Sequence, residues 1–420
     1  MRIFYVLSLL LLISFSGAAQ DRCGSAEYLK KAMLSDPSLR ENIRRVEGFT
    51  AARLREQPVF EYSANQPEAA RPIIIPVVVH VVYRTNQENI SDDQIRSQID
   101  ALNADFSRTN PDFSRVPSVF AALAADAGIR FALAKSDPDG RATTGIIRKK
   151  SDRQFWTDDD KVKMESEGGS AAWDTHHYLN FWICNTPDGL LGYGTFPGGA
   201  VEKDGVVIRY NVFGTRGVLQ VPFDKGRTAT HEVGHWLNLI HIWGDTDCGD
   251  DGVQDTPRQK THNKGNPVFP HVNASCDNGV NGDMFMNFMD FSDDASLNMF
   301  TMGQRDRMQA QFAVGGARNG FLTTTGLAEP WNTTAAAPAS LSAESALRIY
   351  PNPAVGSTAT ISVNAEMAGQ RYGIFAADGH LVMSGSLSSN KQDLDLGHMQ
   401  AGVYFVKVGN GRLAGKFIKN

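Results

Sequence analysis

The sequence predicts an α/β domain, built from a twisted mixed sheet, one histidine-bearing helix and an irregular lobe behind it, followed by a separate all-β sandwich module. Three observations carry this. β-branched runs alternate with helical segments ahead of residue 231; the part after residue 241 is rich in glycine and aspartate; and short alternating strands resume only beyond a stretch poor in large apolar residues. A chain of 420 residues has room for about three domains. With 42% hydrophobic and 21% charged residues and a net charge of −5, it has no basic footprint, so no nucleic-acid partner is expected.

In chain order, Arg2, the apolar run 6–15 and the small residues Gly17-Ala18-Ala19 have the form of a signal peptide over 1–19, too short to span a bilayer. No later segment reads as a transmembrane span, so the mature protein is expected to be exported and soluble, or attached by other means. Residues 20–55 are helical, charged and Arg-rich (Arg40, Arg44, Arg45, Arg53, Arg55), the character of a propeptide rather than of a core. In the main domain, 56–325, a nearly all-β-branched strand at 73–83 belongs in the middle of a sheet. Ser91, followed by Asp92 and Asp93, caps a helix running to about Phe106. Further strands are expected at 129–134, 179–184 and 205–210, and the glycine-rich 189–199 reads as an extended edge that another backbone can approach. Residues 326–345 form a linker of Ala, Ser, Thr and Pro. Beyond it, 346–420 alternates short strands with turns at Asp378-Gly379 and Ala401-Gly402. There is no internal repeat.

The chemistry concentrates in His231-Glu232-Val233-Gly234-His235, with a third histidine at His241. Four residues apart on a helix, His231 and His235 share one face and can bind one metal ion. Glu232 sits beside its open side as a general base. His241 lies too far along for the same stripe, so the helix must break and fold back. Three protein ligands leave an open position, the mark of a catalytic rather than a structural zinc site. An ordinary amphipathic helix with solvated histidines is the bland alternative, and the third histidine argues against it. Of four cysteines, Cys248 and Cys276 flank the following loop and suit a disulfide, while Cys184 lies in an apolar strand as a buried thiol. Cys23 has flanks too polar for a lipid-attachment signal; its thiolate can instead fill the fourth zinc position and hold an exported enzyme latent. Asp245, Asp247, Asp250, Asp251 and Asp255 gather hard oxygen ligands, a setting for calcium or simply a solvated acidic loop.

Past the helix, residues 286–294 read Met-Asn-Phe-Met-Asp-Phe-Ser-Asp-Asp. The three-histidine motif followed by this methionine-bearing turn resembles the metzincin clan of zinc peptidases. The run 231–245, the acidic loop 250–256 and the turn 286–294 resemble its pappalysin family, of the cytophagalysin and ulilysin kind, over roughly 70–325. The resemblance implies a metzincin-type catalytic domain with an active-site helix, zinc on His231, His235 and His241, Glu232 as base and Met289 beneath the metal, where core filling is the bland role. It also implies calcium near Asp250, Asp251, Val253, Asp255 and Thr256, a Cys23 switch in a zymogen, and Asp294 as floor of the pocket for the residue after the cut, selecting Arg or Lys; a solvated turn is the alternative for Asp294. That preference suggests self-processing near Arg53 or Arg55. Three features depart from the family pattern. Asn238 replaces a glycine that needs positive φ, which Asn tolerates; Phe291 replaces a tyrosine that can bond the reacting carbonyl; Asn266 and Ser296 stand at the half-positions of a second disulfide. Residues 350–353 (Tyr-Pro-Asn-Pro), 402–408 and the basic finish 416–419 resemble a type IX secretion sorting domain, whose machinery would be the partner; an adhesive or carbohydrate-binding sandwich is the alternative. The resulting expectation is a secreted, latent zinc endopeptidase acting on proteins and peptides. The competing reading is a surface binding protein or adhesin on a degenerate peptidase scaffold, for which Phe291 is the one support. An aminopeptidase would need a site for a free α-amine, and none is apparent.

Overall fold

The run Ile-Ile-Ile-Pro-Val-Val-Val-His-Val-Val-Tyr forms β1 (Ile73–Tyr83), whose residues from Ile75 to Val82 are all buried, as a strand covered on both faces demands. The computed structural model describes residues 22–56, 72–272, 276–328, 347–376, 381–408 and 413–420, so the signal segment 1–19, the turn at Asp378-Gly379 and most of the expected linker lie outside it. Ahead of β1 come two helices, α1 (Ser25–Ser35) and α2 (Pro37–Glu56). On one side of β1, β2 (Ile129–Leu133) pairs with its first half and β3 (Ile146–Lys150) with its second; on the other lies β4 (Leu179–Cys184), all parallel. Then come β6 (Val206–Arg209), parallel, and at the edge β5 (Gly192–Gly194), antiparallel to β6. The mixed sheet thus ends in the glycine-rich edge that the sequence implies. Strand β3 was not expected from its basic sequence.

Helix α3 (Asp92–Phe106) starts as its sequence suggests, with Ser91 Oγ accepting from Gln94 N–H at 3.1 Å. It lays Ile95, Leu102 and Phe106 on one face of the sheet, in the same core as Val233 and Trp236 of α5 (Arg227–Trp236). A single-turn α4 (Ser118–Ala121) follows α3. The opposite face of the sheet carries Trp156, Val162, Trp182, Cys184 and Tyr193. After α5 the chain is irregular until α6 (Met302–Ala310), which Thr301 and Gln304 open with a reciprocal capping box. Cys248 and Cys276 form a disulfide across this lobe, and Cys184 is a buried free thiol. Residues 326–328 are not free linker: Lys135 N–H bonds Gly326 O at 2.8 Å and Ser136 Oγ bonds Ala328 O at 2.9 Å.

The C-terminal strands are β7 (Arg348–Tyr350), β8 (Thr358–Ser362), β9 (Arg371–Ala376), β10 (Leu381–Ser386), β11 (Lys391–Asp395), β12 (Gly402–Val408) and β13 (Leu413–Lys419). They make two antiparallel sheets, β10-β9-β12-β13 and β11-β8-β7, over a core that includes Ile361, Ile374, Val406 and Phe417.

Candidate active site

Helix α5 is buried along its length from Ala229 to Trp236. At its end Asn238 takes φ 73°, the left-handed turn required of a residue in the glycine position, and Leu239 N–H closes back on Gly234 O at 2.9 Å. This reversal brings His241 Nε2 to 3.2 Å from His235 Nε2, which itself lies 3.1 Å from His231 Nε2. The other nitrogen of each ring faces an acceptor: His231 Nδ1 the Phe288 carbonyl at 2.7 Å, His235 Nδ1 the Leu239 carbonyl at 2.7 Å, and His241 Nδ1 the Asp245 carboxylate. An acceptor at Nδ1 fixes the proton there, so three Nε2 lone pairs point at one another. Burial, the largest cause, holds the rings neutral, pushing His231 and His241 down to about 3 and His235 well below its ordinary value.

Three lone pairs this close repel unless a cation lies between them. Zinc–nitrogen bonds of about 2.05 Å set the edges of a tetrahedron at about 3.3 Å, which these separations match. Cys23 Sγ stands 3.4 Å from His235 Nε2, and the four donor atoms lie within 4.8 Å of one another. The donor set fits zinc. Burial and the neighbouring Glu232 push the Cys23 thiol well up against the lowering effect of the Ser25 hydrogen bonds, and a cation against Sγ would favour the thiolate. A Cβ on Gly234 would meet Met289 Sδ at 2.5 Å, so this glycine is what lets fully buried Met289 close against the helix between His231 and His235 in sequence.

Cys23 arrives on the N-terminal segment. Leu191 N–H bonds Arg22 O and Gly24 N–H bonds Gly192 O, both at 2.9 Å, which lays residues 22–24 parallel to edge strand β5. Ser25 Oγ then donates to Glu232 Oε2 at 2.7 Å and accepts from Gly194 N–H at 2.8 Å. Cys23 Sγ also lies 3.4 Å from Glu232 Oε2, while Glu232 Oε1 is buried without a hydrogen-bond partner. Burial lifts Glu232 to about 7 against the lowering effect of the Ser25 and Cys23 hydrogen bonds. Further on, α2 grips the same region: Arg307 pairs with Glu47 at 2.6 and 2.7 Å while its Nε holds the Asn238 carbonyl. Fully buried Thr50 accepts from Gln311 Nε2 at 2.9 Å and Asn238 Nδ2 at 3.3 Å. Ser25, Glu47 and Thr50 escaped the sequence reading, because an amphipathic helix does not reveal what it docks on. Gly192 and Gly194 were legible only as part of an extended edge that another backbone can approach; Cβ atoms there would meet Glu232 at 3.3 Å and its carbonyl at 2.5 Å.

Asp294 sits in the cavity beside His231 and Glu232, with Arg22, Phe223 and Leu297 also lining it. Its Oδ2 accepts from Lys225 N–H at 2.8 Å and Arg227 N–H at 3.3 Å, and burial lifts it to about 6. Arg22 crosses the same cavity, donating to Phe291 O at 2.9 Å and Asp293 Oδ1 at 3.2 Å, with its guanidinium 4.4 Å from the Phe223 ring centre. Phe291 is buried against His241 at 4.9 Å and His231 at 5.5 Å between ring centres, filling its place without a donor. Asn266 and Ser296, the absent half-cystines, meet instead as a hydrogen bond of 2.8 Å.

The acidic loop is less convergent than its sequence suggests. Asp245 orients His241 rather than joining an oxygen cluster. Asp255 turns to α6, accepting from Thr301 Oγ1 at 2.7 Å and Gly303 N–H at 2.9 Å. Asp250 is exposed, whereas Asp251 accepts from Thr256 Oγ1 at 2.9 Å beside the Val253 carbonyl, and burial lifts it to about 7.

The sequence pattern of the Pregnancy-associated plasma protein-A family matches residues 163–313. An extracellular metalloprotease of Coccidioides posadasii is 33% identical over 272 residues, 61% of this chain and 83% of that protein. This chain belongs to that family. Among solved structures, Tannerella forsythia promirolysin is 44% identical with a TM-score of 0.64 over 71% of this chain and 96% of that one. Mature mirolysin in complex with a cleaved peptide is 49% identical with a TM-score of 0.59, covering 61% and 96%. A secretion-system C-terminal sorting domain matches residues 348–420. The protein is a zinc metallopeptidase with a type IX sorting tail, secreted or carried to the outer surface. Among the described residues, no helix is long and apolar enough to cross a membrane.

Proposed function

We infer that the protein is a latent endopeptidase in which His231, His235 and His241 hold zinc, Glu232 is the general base and Cys23 closes the fourth position until the propeptide leaves. The observation that carries this is the meeting of three unprotonated Nε2 atoms beside a buried glutamate. Bound there, zinc would polarise the scissile carbonyl and acidify the attacking water. Glu232 Oε1 is the free oxygen that takes the water's proton, and burial, which raises its basicity, suits it to pass that proton to the leaving amine. Phe291 offers no hydrogen to the reacting carbonyl, so this part of the work falls to the remaining groups. Glu232→Ala should retain zinc and fold while losing cleavage by roughly a thousandfold or more; a variant that still cuts casein at the parent rate would remove Glu232 from this role.

The same reading assigns 20–55 to the propeptide, 56–325 to the catalytic domain with 326–328 bonded to it, the rest of 326–345 to the linker and 346–420 to the sorting domain. It gives Asp294 the selection of Arg or Lys after the cut, which the presence of Arg22 in that cavity supports. Self-processing would then fall near Arg53 or Arg55. Calcium, where bound, would use Asp251, Val253 and Thr256, with Asp250 and Asp255 as outer partners.

A further inference from the structure

The propeptide inserts one aromatic side chain into the rim of the cleft. Tyr28 of α1 stacks on Tyr193 of β5, with ring centres 5.1 Å apart and planes at 30°, and its hydroxyl donates to Asp160 Oδ2 at 2.9 Å. Burial and then Asp160 push this phenol up, so it stays a donor. The wall it meets is built wholly by the catalytic domain. Asp160, itself at φ 61°, pairs with Lys163 Nζ at 2.8 Å, and that ammonium also donates to Lys203 O at 2.6 Å. Lys163 lies 5.0 Å from the Tyr193 ring centre, 5.2 Å from Trp182 and 5.4 Å from Tyr28, so Tyr28 completes an aromatic surround that the other two rings begin. The Tyr193 hydroxyl is buried without a hydrogen-bond partner, a spare polar group in the same wall. Alongside, a cavity of about 350 Å³ runs under the two propeptide helices past Asp158, Phe196 and Lys203.

This wall lies where a substrate must pass. Gly192 and Gly194 turn towards α5, so Tyr193 between them faces the other side of the sheet. A Cβ placed on Gly24 would point at Leu190 and Tyr193, 2.9 and 3.4 Å away, so an extended chain on this edge sends alternate side chains to that side. Arg22 occupies the cavity of Asp294 and Cys23 the metal position, which puts Ser25 and Tyr28 towards the residues preceding the cut. We propose that, once the propeptide is gone, this wall is a subsite for a tyrosine side chain ahead of the scissile bond, its ring on Tyr193 and its hydroxyl on Asp160. The subsite rests on the reading of the cleft given above. A phenol fits better than a cation, because Lys163 and Lys203 already neutralise Asp160, 2.8 and 3.4 Å away. Phenylalanine would stack but give no hydrogen bond to Asp160 Oδ2, which would keep only Lys203 at 3.4 Å.

The test uses activated enzyme and matched peptides carrying Tyr, Phe, O-methyltyrosine or Lys at successive positions before the cut. At one position Tyr should raise kcat/KM about tenfold over Phe, O-methyltyrosine and Lys, as a hydrogen bond to a carboxylate gives. Asp160→Asn should shrink that ratio to about threefold or less; should this variant fail to fold, the comparison of Tyr with O-methyltyrosine in the parent enzyme decides alone. Equal cleavage of all four at every position overturns the subsite while leaving the peptidase reading intact. Failure to cut any peptide of the series overturns the cleft reading and the subsite with it.

Discussion

Four histidines are buried among the described residues, and they fall into two opposite states. His80, in the middle of β1, is satisfied at both nitrogens. Asn180 Oδ1, which can only accept, lies 3.0 Å from Nε2, and Ser170 Oγ lies 2.8 Å from Nδ1, with Trp182 stacked against the ring. The histidines of α5 and its turn are satisfied at one nitrogen only, and their remaining lone pairs meet. Burial pushes all four downward, so neither burial nor the shift separates a metal ligand from a core histidine. The free lone pair does. The acidic loop teaches the same lesson with carboxylates: Asp255 is spent on Thr301 and Gly303, Asp245 on His241, and only Asp251 is buried close to further oxygen ligands.

If the convergent lone pairs are the true distinction, removing the fourth donor should release the enzyme. Cys23→Ala in the zymogen should release activity roughly 100-fold above the parent zymogen, about 2.7 kcal/mol of latch, with zinc content unchanged. Peptide cleavage before propeptide removal measures it. A variant as silent as the parent would move the lock from the thiol to the Ser25, Glu47 and Thr50 contacts.

The satisfied histidine should instead declare itself through stability. His80 is held down to about 4 by burial, against about 6.5 in the unfolded chain. Between those values the unfolded state binds a proton that the native state refuses. Stability from this residue is therefore complete above pH 6.5 and falls as pH drops towards 4, by on the order of 3 kcal/mol in all. His80→Gln should flatten that slope relative to the parent in urea unfolding at pH 4.5 to 7.5. Identical slopes would mean that His80 takes up its proton without cost.

Much of this was legible beforehand because the chemistry is local in sequence. His231, Glu232 and His235 lie within one helical turn, and Asn238 had to take positive φ for His241 to return. The strand at 73–83 and the capped helix from Ser91 were equally plain, since period and cap are local signals. What was not legible depends on neighbours distant in the chain. Asp245 read as an oxygen ligand until its histidine partner appeared, and Gly234 shows its purpose only against Met289. The capping box at Thr301 and Gln304 is a local signal too, but it sits in a glycine- and aspartate-rich stretch whose composition implies irregular chain. Ser25, Glu47, Thr50 and Tyr28 act on residues more than a hundred positions away, and no periodicity encodes that.

A smaller effect should come from Asp294, a carboxylate fixed by two backbone N–H groups but still open to the cavity. Its replacement by alanine should cut the advantage of Arg or Lys over Leu after the cut about tenfold, near 1.4 kcal/mol. Cleavage-site profiling of a denatured proteome reads this directly. An unchanged profile would class Asp294 with His80, as a group whose neighbours use up its bonding.

Calcium should give the smallest effect, because the loop already meets most of its own needs. Asp251 alone is buried and lifted to about 7, and it already accepts from the Val253 N–H at 3.1 Å and the Thr256 hydroxyl at 2.9 Å, so a cation there has only to turn that hydroxyl from donor to ligand. For a site of millimolar or slightly tighter affinity, saturating calcium adds about 1 kcal/mol by mass action. Selective calcium chelation followed by add-back should therefore move Tm by a few degrees and leave peptide cleavage near its starting rate. Thr256→Val tests whether that shift belongs to this loop, since it removes one oxygen without adding charge. A shift far larger than this would mean that the loop carboxylates reorganise around the ion, and that satisfaction within the protein does not separate binding groups from structural ones after all.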